Sequence, residues 1–232
     1  MSDKKGLRLQ REGTVINTIS KKQEKLLQQA VFSVMQTLQK ESPTLHLQLE
    51  AKVFLKEVTD WLKHHFTESD FTYHFETSSM KPDGVILFLV DKHKQRYPLL
   101  ISEKKNQGTN DLRKQEGKTK QAKGNAIERL GKNVIGLKAF LATESIFPFV
   151  CFGDGCDFAS DSSILDRVST IAEFGKLNTV YLFEESDGRF RRGSFFFREA
   201  LWTVDEMVDI CYHIAERSLH YYFAKYSKAQ FI

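Results

Sequence analysis

Two carboxylates and a lysine, set at the ends of two apolar runs, carry the most chemistry in this sequence. Ser78-Ser79-Met80-Lys81-Pro82-Asp83-Gly84 leads into the apolar stretch Val85–Val90, and Ser102-Glu103-Lys104-Lys105 closes the next run, Arg96–Glu103. Nineteen residues lie between Asp83 and Glu103. If the runs are antiparallel neighbours in a sheet, the start of one adjoins the end of the other and the two carboxylates converge. Glu103 and Lys105, two apart on an extended chain, then point to the same face. Hard oxygen ligands of this kind suit Mg²⁺, which keeps most of its waters and binds through one or two carboxylates plus a substrate phosphate. Such an ion acidifies water and offsets charge on phosphorus, while a lysine orients or helps deprotonate the water and stabilises charge. The chemistry is phosphodiester hydrolysis. Taken singly, Pro82-Asp83-Gly84 also reads as a turn and Glu103-Lys104-Lys105 as a solvated strand end.

A second group is Gly124-Asn125-Ala126-Ile127-Glu128-Arg129, which opens a helical pattern. Asn at a helix start can pair bidentately with adenine, and Arg with guanine or a phosphate. Gly124 and Ala126 permit close approach, although a plain helix start with Glu128 and Arg129 solvated has the same pattern. Residues 104–132 hold nine Lys or Arg against three Asp or Glu, a local excess of +6 in a chain whose net charge is +4. A basic stretch that joins a carboxylate pair to an Asn/Arg helix suits a segment that tracks phosphates. Arg189, Arg191 and Arg192 could touch phosphate or lie in an exposed turn.

These residues need elements to position them. Helical spacing follows Ser20, a candidate N-cap, through Leu26, Leu27, Ala30, Val31, Val34, Met35 and Leu38. A second helix is expected over about 50–66. Strands are expected at Phe71–Glu76, Gly84–Val90 (a continuous apolar run, buried on both faces) and Arg96–Glu103, and then a polar loop over 104–121. A helix over Gly124–Glu144, a strand at Phe147–Phe152, a helix at Ser162–Phe174 and a strand at Thr179–Glu184 follow. A hairpin turn at Ser186-Asp187-Gly188, a strand at Ser194–Arg198 and a helix over Val204–Phe223 complete the chain. This order predicts an α/β fold with a central mixed β-sheet flanked by helices on both faces. No repeat or linker breaks it, so residues 1–232 are expected to form one domain, with 1–19 as a flexible arm.

Composition removes several classes. The chain has 232 residues, 41% hydrophobic and 28% charged, enough for a sizeable core. No apolar run approaches the length that spans a bilayer, and the charged start has no signal-peptide pattern. Cys151, Cys156 and Cys211 are odd in number and widely spaced, which argues for buried thiols in a reduced cytosol rather than a disulfide framework. They match no zinc spacing, and His64-His65 reads as a solvated helix face.

The motif Ser78–Gly84, then Glu103-Lys104-Lys105-Asn106-Gln107-Gly108, then Gly124–Arg129 resembles, in order and spacing, the EcoRI-type restriction endonucleases of the PD-(D/E)xK nuclease superfamily. Weaker similarity continues through Glu144–Phe149 and Ile164-Leu165-Asp166-Arg167, so it covers roughly Ser78 to Gly175. The resemblance implies a restriction-endonuclease-like fold and a homodimeric, Mg²⁺-dependent enzyme that cuts duplex DNA at a short palindrome, leaving 5′-phosphate and 3′-hydroxyl ends. It implies Asp83 and Glu103 as metal ligands, Lys105 as the catalytic lysine, and Asn125, Ala126 and Arg129, beside Gly124, as readers of a central AATT. Glu128 is implied as a bridge between subunits or between recognition and cleavage, and Arg167 as a contact near the outer base pair. The family places a second arginine three residues later, where this chain has Thr170, so the site could be AATT, GAATTC or CAATTG; Lys123 could supply a different outer contact. A prokaryotic cytoplasm and a companion DNA methyltransferase go with that reading. A structure-selective repair or junction nuclease of the same superfamily, or a DNA-binding module without catalysis, are the alternatives.

Overall fold

The structure, a computed structural model, describes the chain except residues 1–14, 69, 71, 73–74, 107–116, 118–125, 159–162, 174 and 184–191. In chain order its elements are α1 (Val15–Glu41), β1 (His46–Glu50), β2 (Val53–Phe54), α2 (Leu55–His65), β3 (Ser79–Met80), β4 (Ile86–Val90), β5 (Arg96–Asn106), α3 (Ala126–Phe140), β6 (Phe149–Asp154), α4 (Ser163–Ile171), β7 (Ser194–Arg198) and α5 (Val204–Tyr226). Five strands form one sheet in the order β1-β4-β5-β6-β7, and β2 pairs with β3 beside it. β4 is antiparallel to β1 and β5, whereas β5, β6 and β7 run parallel, so the sheet is mixed.

Helices cover both faces. Leu27, Ala30, Val31, Val34 and Leu38 of α1 and Met207, Cys211, Ile214 and Leu219 of α5 pack on Leu87, Leu89, Leu100, Val150 and Phe152. The opposite face, Ile86, Phe88, Ile101, Phe149 and Cys151, is covered by Val58 of α2, Ile127, Leu130, Val134 and Leu137 of α3, and Ile164 and Val168 of α4. All five residues of β4 are buried, as its unbroken apolar run requires when both faces are covered. Pro98 sits in β5 opposite Phe88, where the register shifts between Leu87 and Phe88; an irregularity of this kind accommodates a residue that has no N–H for the ladder. Cys151 and Cys211 are buried free thiols.

Several sequence expectations are corrected. Helix α1 begins at Val15, so Ser20 lies inside it and 15–19, expected in an arm, are helical. β1 was not expected, although His46-Leu47-Gln48-Leu49-Glu50 alternates polar and apolar; it is an edge strand with only partial burial, and the helix expected from residue 50 starts at Leu55. Of the strand expected at Phe71–Glu76, residues 71, 73 and 74 lie outside the described residues; Thr72 is not in a strand, Phe75 is 71% exposed and Glu76 begins a turn. β5 continues to Asn106 instead of yielding to a loop at 104. Among the described residues of the expected strand at Thr179–Glu184, only Phe183 makes a bridge, to Ile146. β7 pairs in parallel with β6, and the hairpin turn at 186–188 lies outside the described residues.

Helix α5 is stopped and started by local chemistry. Thr203 and Glu206 form a reciprocal capping box, with the Thr203 amide donating to Glu206 Oε2 at 2.9 Å. Arg198 donates to both Glu206 oxygens at 2.7 Å, and this pairing, with the Thr203 donors, holds the Glu206 carboxyl down at about 2. Because the folded value is depressed, the stability this carboxylate contributes is present above the ordinary Glu range and lost as pH falls toward 2. Thr203→Ala is expected to lower stability by about 1 kcal/mol in chemical denaturation.

Candidate active site

The turn before β4 and the end of β5 meet because the strands are antiparallel: Ile86 faces Ile101, and the Gly84 amide donates to the Ser102 carbonyl at 3.1 Å. Gly84 is required here. A Cβ on it would stand 2.3 Å from Ser102 Oγ, 2.7 Å from the Ser102 carbonyl and 2.9 Å from Leu27 Cδ2 of α1. Ser102 Oγ also accepts from the Val85 amide at 3.0 Å and donates to the Val85 carbonyl at 2.7 Å, so it cannot yield cheaply. Gly84→Ala should push the Asp83 turn off the strand end, costing on the order of 1–3 kcal/mol and most of the activity. Thermal melts read beside cleavage rates check this; a fully active Gly84→Ala protein would show that the close approach is dispensable.

The expected triad assembles on this frame. The Asp83 amide donates to Glu103 Oε2 at 3.0 Å, and Lys105 Nζ donates to Asp83 Oδ2 and to Glu103 Oε1. The Glu103 side chain is wholly buried, whereas that of Asp83 is 38% exposed at the mouth of the site. Burial raises the Glu103 carboxyl above its ordinary range against the lowering effect of Lys105. Burial alone would lower Lys105, but Glu103 and Asp83 outweigh it and hold the ammonium charged, above the usual lysine value.

Two neighbours were missed by the sequence reading. Asn133 Nδ2 of α3 donates to Glu103 Oε1 at 3.3 Å; its position one helical turn beyond Arg129 was the available signal. Glu24 of α1 is half-buried, and burial first, then the charge of Asp83, raises its carboxyl. Nothing in the spacing of Glu24 pointed to the site.

The triad opens on a cleft of about 390 Å³ lined by Lys81, Asp83, Lys104, Lys105, Asn106, Arg129, Lys132 and Asn133. Lys81, Lys105, Arg129 and Lys132 beside one aspartate suit a phosphate-bearing ligand. A larger cleft, about 600 Å³, lies at the other end of β5 between Trp61, Tyr97 and Tyr226. There Glu57 is held by Arg96, and Glu144 by Tyr221, Tyr226 and Lys225, so it has no carboxylate pair comparable to the first. Among the described residues no group of three or more His, Cys, Asp or Glu is arranged to hold a metal. Asp83 lines the cleft, and Glu103 is buried beside it.

Of the recognition candidates, Lys123, Gly124 and Asn125 lie outside the described residues, and Ala126 is the first residue of α3. Glu128 and Arg129 are exposed in its first turn. Arg167 of α4 donates to Glu128 Oε1 at 3.4 Å, both side chains about half exposed, so Glu128 already links α3 to α4 within one chain. Arg192 is turned inward over the Tyr181 ring, 5.4 Å from its centroid, while Arg189 and Arg191 lie outside the described residues. His64 and His65 are exposed, His65 stacked on Trp61.

A mixed five-stranded sheet between helical layers, with paired carboxylates and a lysine where β5 ends beside a basic helix, defines a nuclease of restriction-endonuclease-like fold. The chain belongs to the EcoRI restriction endonuclease family: the family profile, "Restriction endonuclease EcoRI", matches residues 10–229. It is 27% identical over 241 residues to the type II restriction enzyme RsrI of Cereibacter sphaeroides, covering 89% of this chain and 87% of that one. It is 30% identical over 142 residues to the type II restriction enzyme EcoRI of Escherichia coli, covering 58% of this chain and 51% of that one. The protein is accordingly a type II restriction endonuclease, a site-specific deoxyribonuclease. No helix among the described residues is long and apolar enough to cross a membrane.

Proposed function

We propose that residues 1–232 act as one nuclease domain, paired as a homodimer, that hydrolyses both strands of duplex DNA at a short palindrome with a central AATT. The observation that carries this is the convergence of Asp83, Glu103 and Lys105 on a cleft whose wall includes Arg129 and Lys132 of α3. Asp83 on the wall of a basic, phosphate-sized cleft, with Glu103 buried beside it, fits Mg²⁺, with Asp83 and Glu103 as the residues that would hold it. When bound, the ion supplies acidification of water and offsets charge at phosphorus. Lys105, kept protonated by its two carboxylates, works as an ammonium: it donates toward the attacked phosphate and stabilises its charge. Asn133 and the Asp83 amide hold Glu103 in place.

Asn125, Ala126 and Arg129 read the central bases, with Lys123 and Arg167 toward the outer pair and Glu128 tying recognition to cleavage. With Thr170 where a second arginine would stand, the outer pair is left to Lys123 and Arg167, and AATT, GAATTC and CAATTG are the candidate sites. Two equivalent half-sites favour a two-fold dimer. The enzyme works in a prokaryotic cytoplasm beside a DNA methyltransferase that protects the same sequence. Long duplex DNA incubated with the protein and Mg²⁺ should give discrete fragments with 5′-phosphate ends, and sequencing those ends gives the site and the cut position. A smear, or no cutting by folded protein with any divalent metal, would sink the proposal. Cutting confined to branched DNA would instead identify a junction nuclease.

A further inference from the structure

Lys104 and Lys105 are consecutive, so β5 sends them to opposite faces of the sheet, and each has its own carboxylate. Lys105 belongs to Asp83 and Glu103. Lys104 donates to Asp154, the last residue of β6, in a pair whose side chains are 1% and 0% exposed. Oδ1 of Asp154 also accepts from Asn106 Nδ2, and in the parallel ladder Asn106 lies directly beside Asp154 and Lys105 beside Gly153. One buried carboxylate thus grips the residue on either side of Lys105. Lys104 nevertheless borders the same cleft as Asp83 and Lys105, so the charge on its ammonium, if left uncompensated, acts on that cleft.

Charge gives this arrangement a consequence. Asp83 and Glu103 with Lys105 sum to −1, which attracts a divalent cation. A second ammonium would bring the sum to zero and leave a cation no electrostatic reason to enter. We infer that Asp154 is a positioning residue for the nuclease site: it neutralises the Lys104 ammonium, which strand alternation puts on the far face of the sheet, and clamps Asn106. Asp83 and Glu103 are thereby left with Lys105 as the ammonium paired to them. The inference rests on the reading of Asp83 and Glu103 as the cation's ligands.

The test is calorimetric titration of the DNA-free protein with Ca²⁺, beside the Mg²⁺ dependence of cleavage. Asp154→Asn should weaken Ca²⁺ binding about tenfold, the scale of one added charge at a partly screened site. It should also raise the Mg²⁺ needed for half-maximal cleavage while leaving the rate at saturating Mg²⁺ close to that of the parent. Adding Lys104→Met to Asp154→Asn should restore both readouts to within about threefold, because the uncompensated ammonium is gone. Unchanged Ca²⁺ binding in folded Asp154→Asn, or a double variant that binds as weakly as the single, overturns the inference. If the single variant does not fold, the double decides alone: parent-like Ca²⁺ binding supports the inference and weak binding overturns it. Asp83→Asn is the separate control. Undiminished Ca²⁺ binding there overturns the ligand reading itself, whereas loss there beside an unchanged Asp154→Asn overturns only the role of Asp154.

Discussion

Asp83→Asn should leave a folded protein that still binds its duplex but cuts it about 10³-fold more slowly or not at all. The amide keeps the shape of the side chain and removes the charge. Asp83 is the partly exposed member of the pair and contributes its backbone amide, not its carboxylate, to holding Glu103, so the fold has little to lose. With one negative charge fewer beside the phosphate, binding in the absence of metal should hold or tighten. Glu103→Gln is a less clean experiment. Its carboxylate is fully buried and accepts from the Asp83 amide, Lys105 and Asn133, and breaking a buried pair leaves the Lys105 charge uncompensated, at a cost of about 3–5 kcal/mol. Activity and stability would then fall together. Single-turnover cleavage and gel-shift binding on one duplex separate the two outcomes. An Asp83→Asn protein that cuts at a tenth of the parent rate with Mg²⁺ or Mn²⁺ would remove Asp83 from the reaction.

Arg129→Ala should cost specificity rather than fold. Arg129 is exposed in the first turn of α3 and lines the cleft that Asp83 and Lys105 open on. A good base contact discriminates by about 1–3 kcal/mol, and a dimer on a palindrome makes it twice, so cognate binding should weaken by roughly 2–6 kcal/mol. Binding to a scrambled duplex should change little, with the slope against salt falling by about one phosphate contact at most. Lys132→Ala, one turn further along the same cleft, is the contrast: loss of a phosphate contact should weaken cognate and scrambled duplexes alike. Competition binding at fixed salt distinguishes the two. Equal loss on both duplexes for Arg129→Ala would make it a backbone contact and move base reading elsewhere on the helix.

The legible parts of this protein were those set by local rules. The continuous apolar run before Val90 reads as a doubly covered strand because no polar residue interrupts it, and all of β4 is indeed buried. Glu103 and Lys105 share a face because a strand alternates. The antiparallel pairing of β4 with β5 brought Asp83 to Glu103 as their spacing required. The apolar stripes of α1, α3 and α5 were readable because helical period survives without knowledge of the partner.

What failed were the places where a partner, not the residue, sets the outcome. His46–Glu50 alternates polar and apolar residues, with Leu47 and Leu49 packed against the core, but the segment is only five residues long and β4 decides that it pairs as a strand. Thr179–Glu184 looks like a strand by composition, yet β7 takes the place beside β6 and leaves, among the described residues, only the Phe183 bridge. A basic run starting at Lys104 reads as loop, since consecutive lysines are costly to bury. Asp154, fifty residues on, neutralises the first, Asp83 and Glu103 the second, and the strand runs on to Asn106.

The sequence by itself determined which groups meet, Asp83, Glu103 and Lys105 at the ends of two strands, because residue type and short-range spacing fix what groups exist and which way they point. Only the tertiary structure decided their electrostatic setting. Asn133 reaching Glu103, Glu24 approaching Asp83 and Asp154 holding Lys104 are contacts between segments 30, 59 and 50 residues apart. Charge and hydrogen bonding act through space rather than along the chain, so no local pattern encodes them.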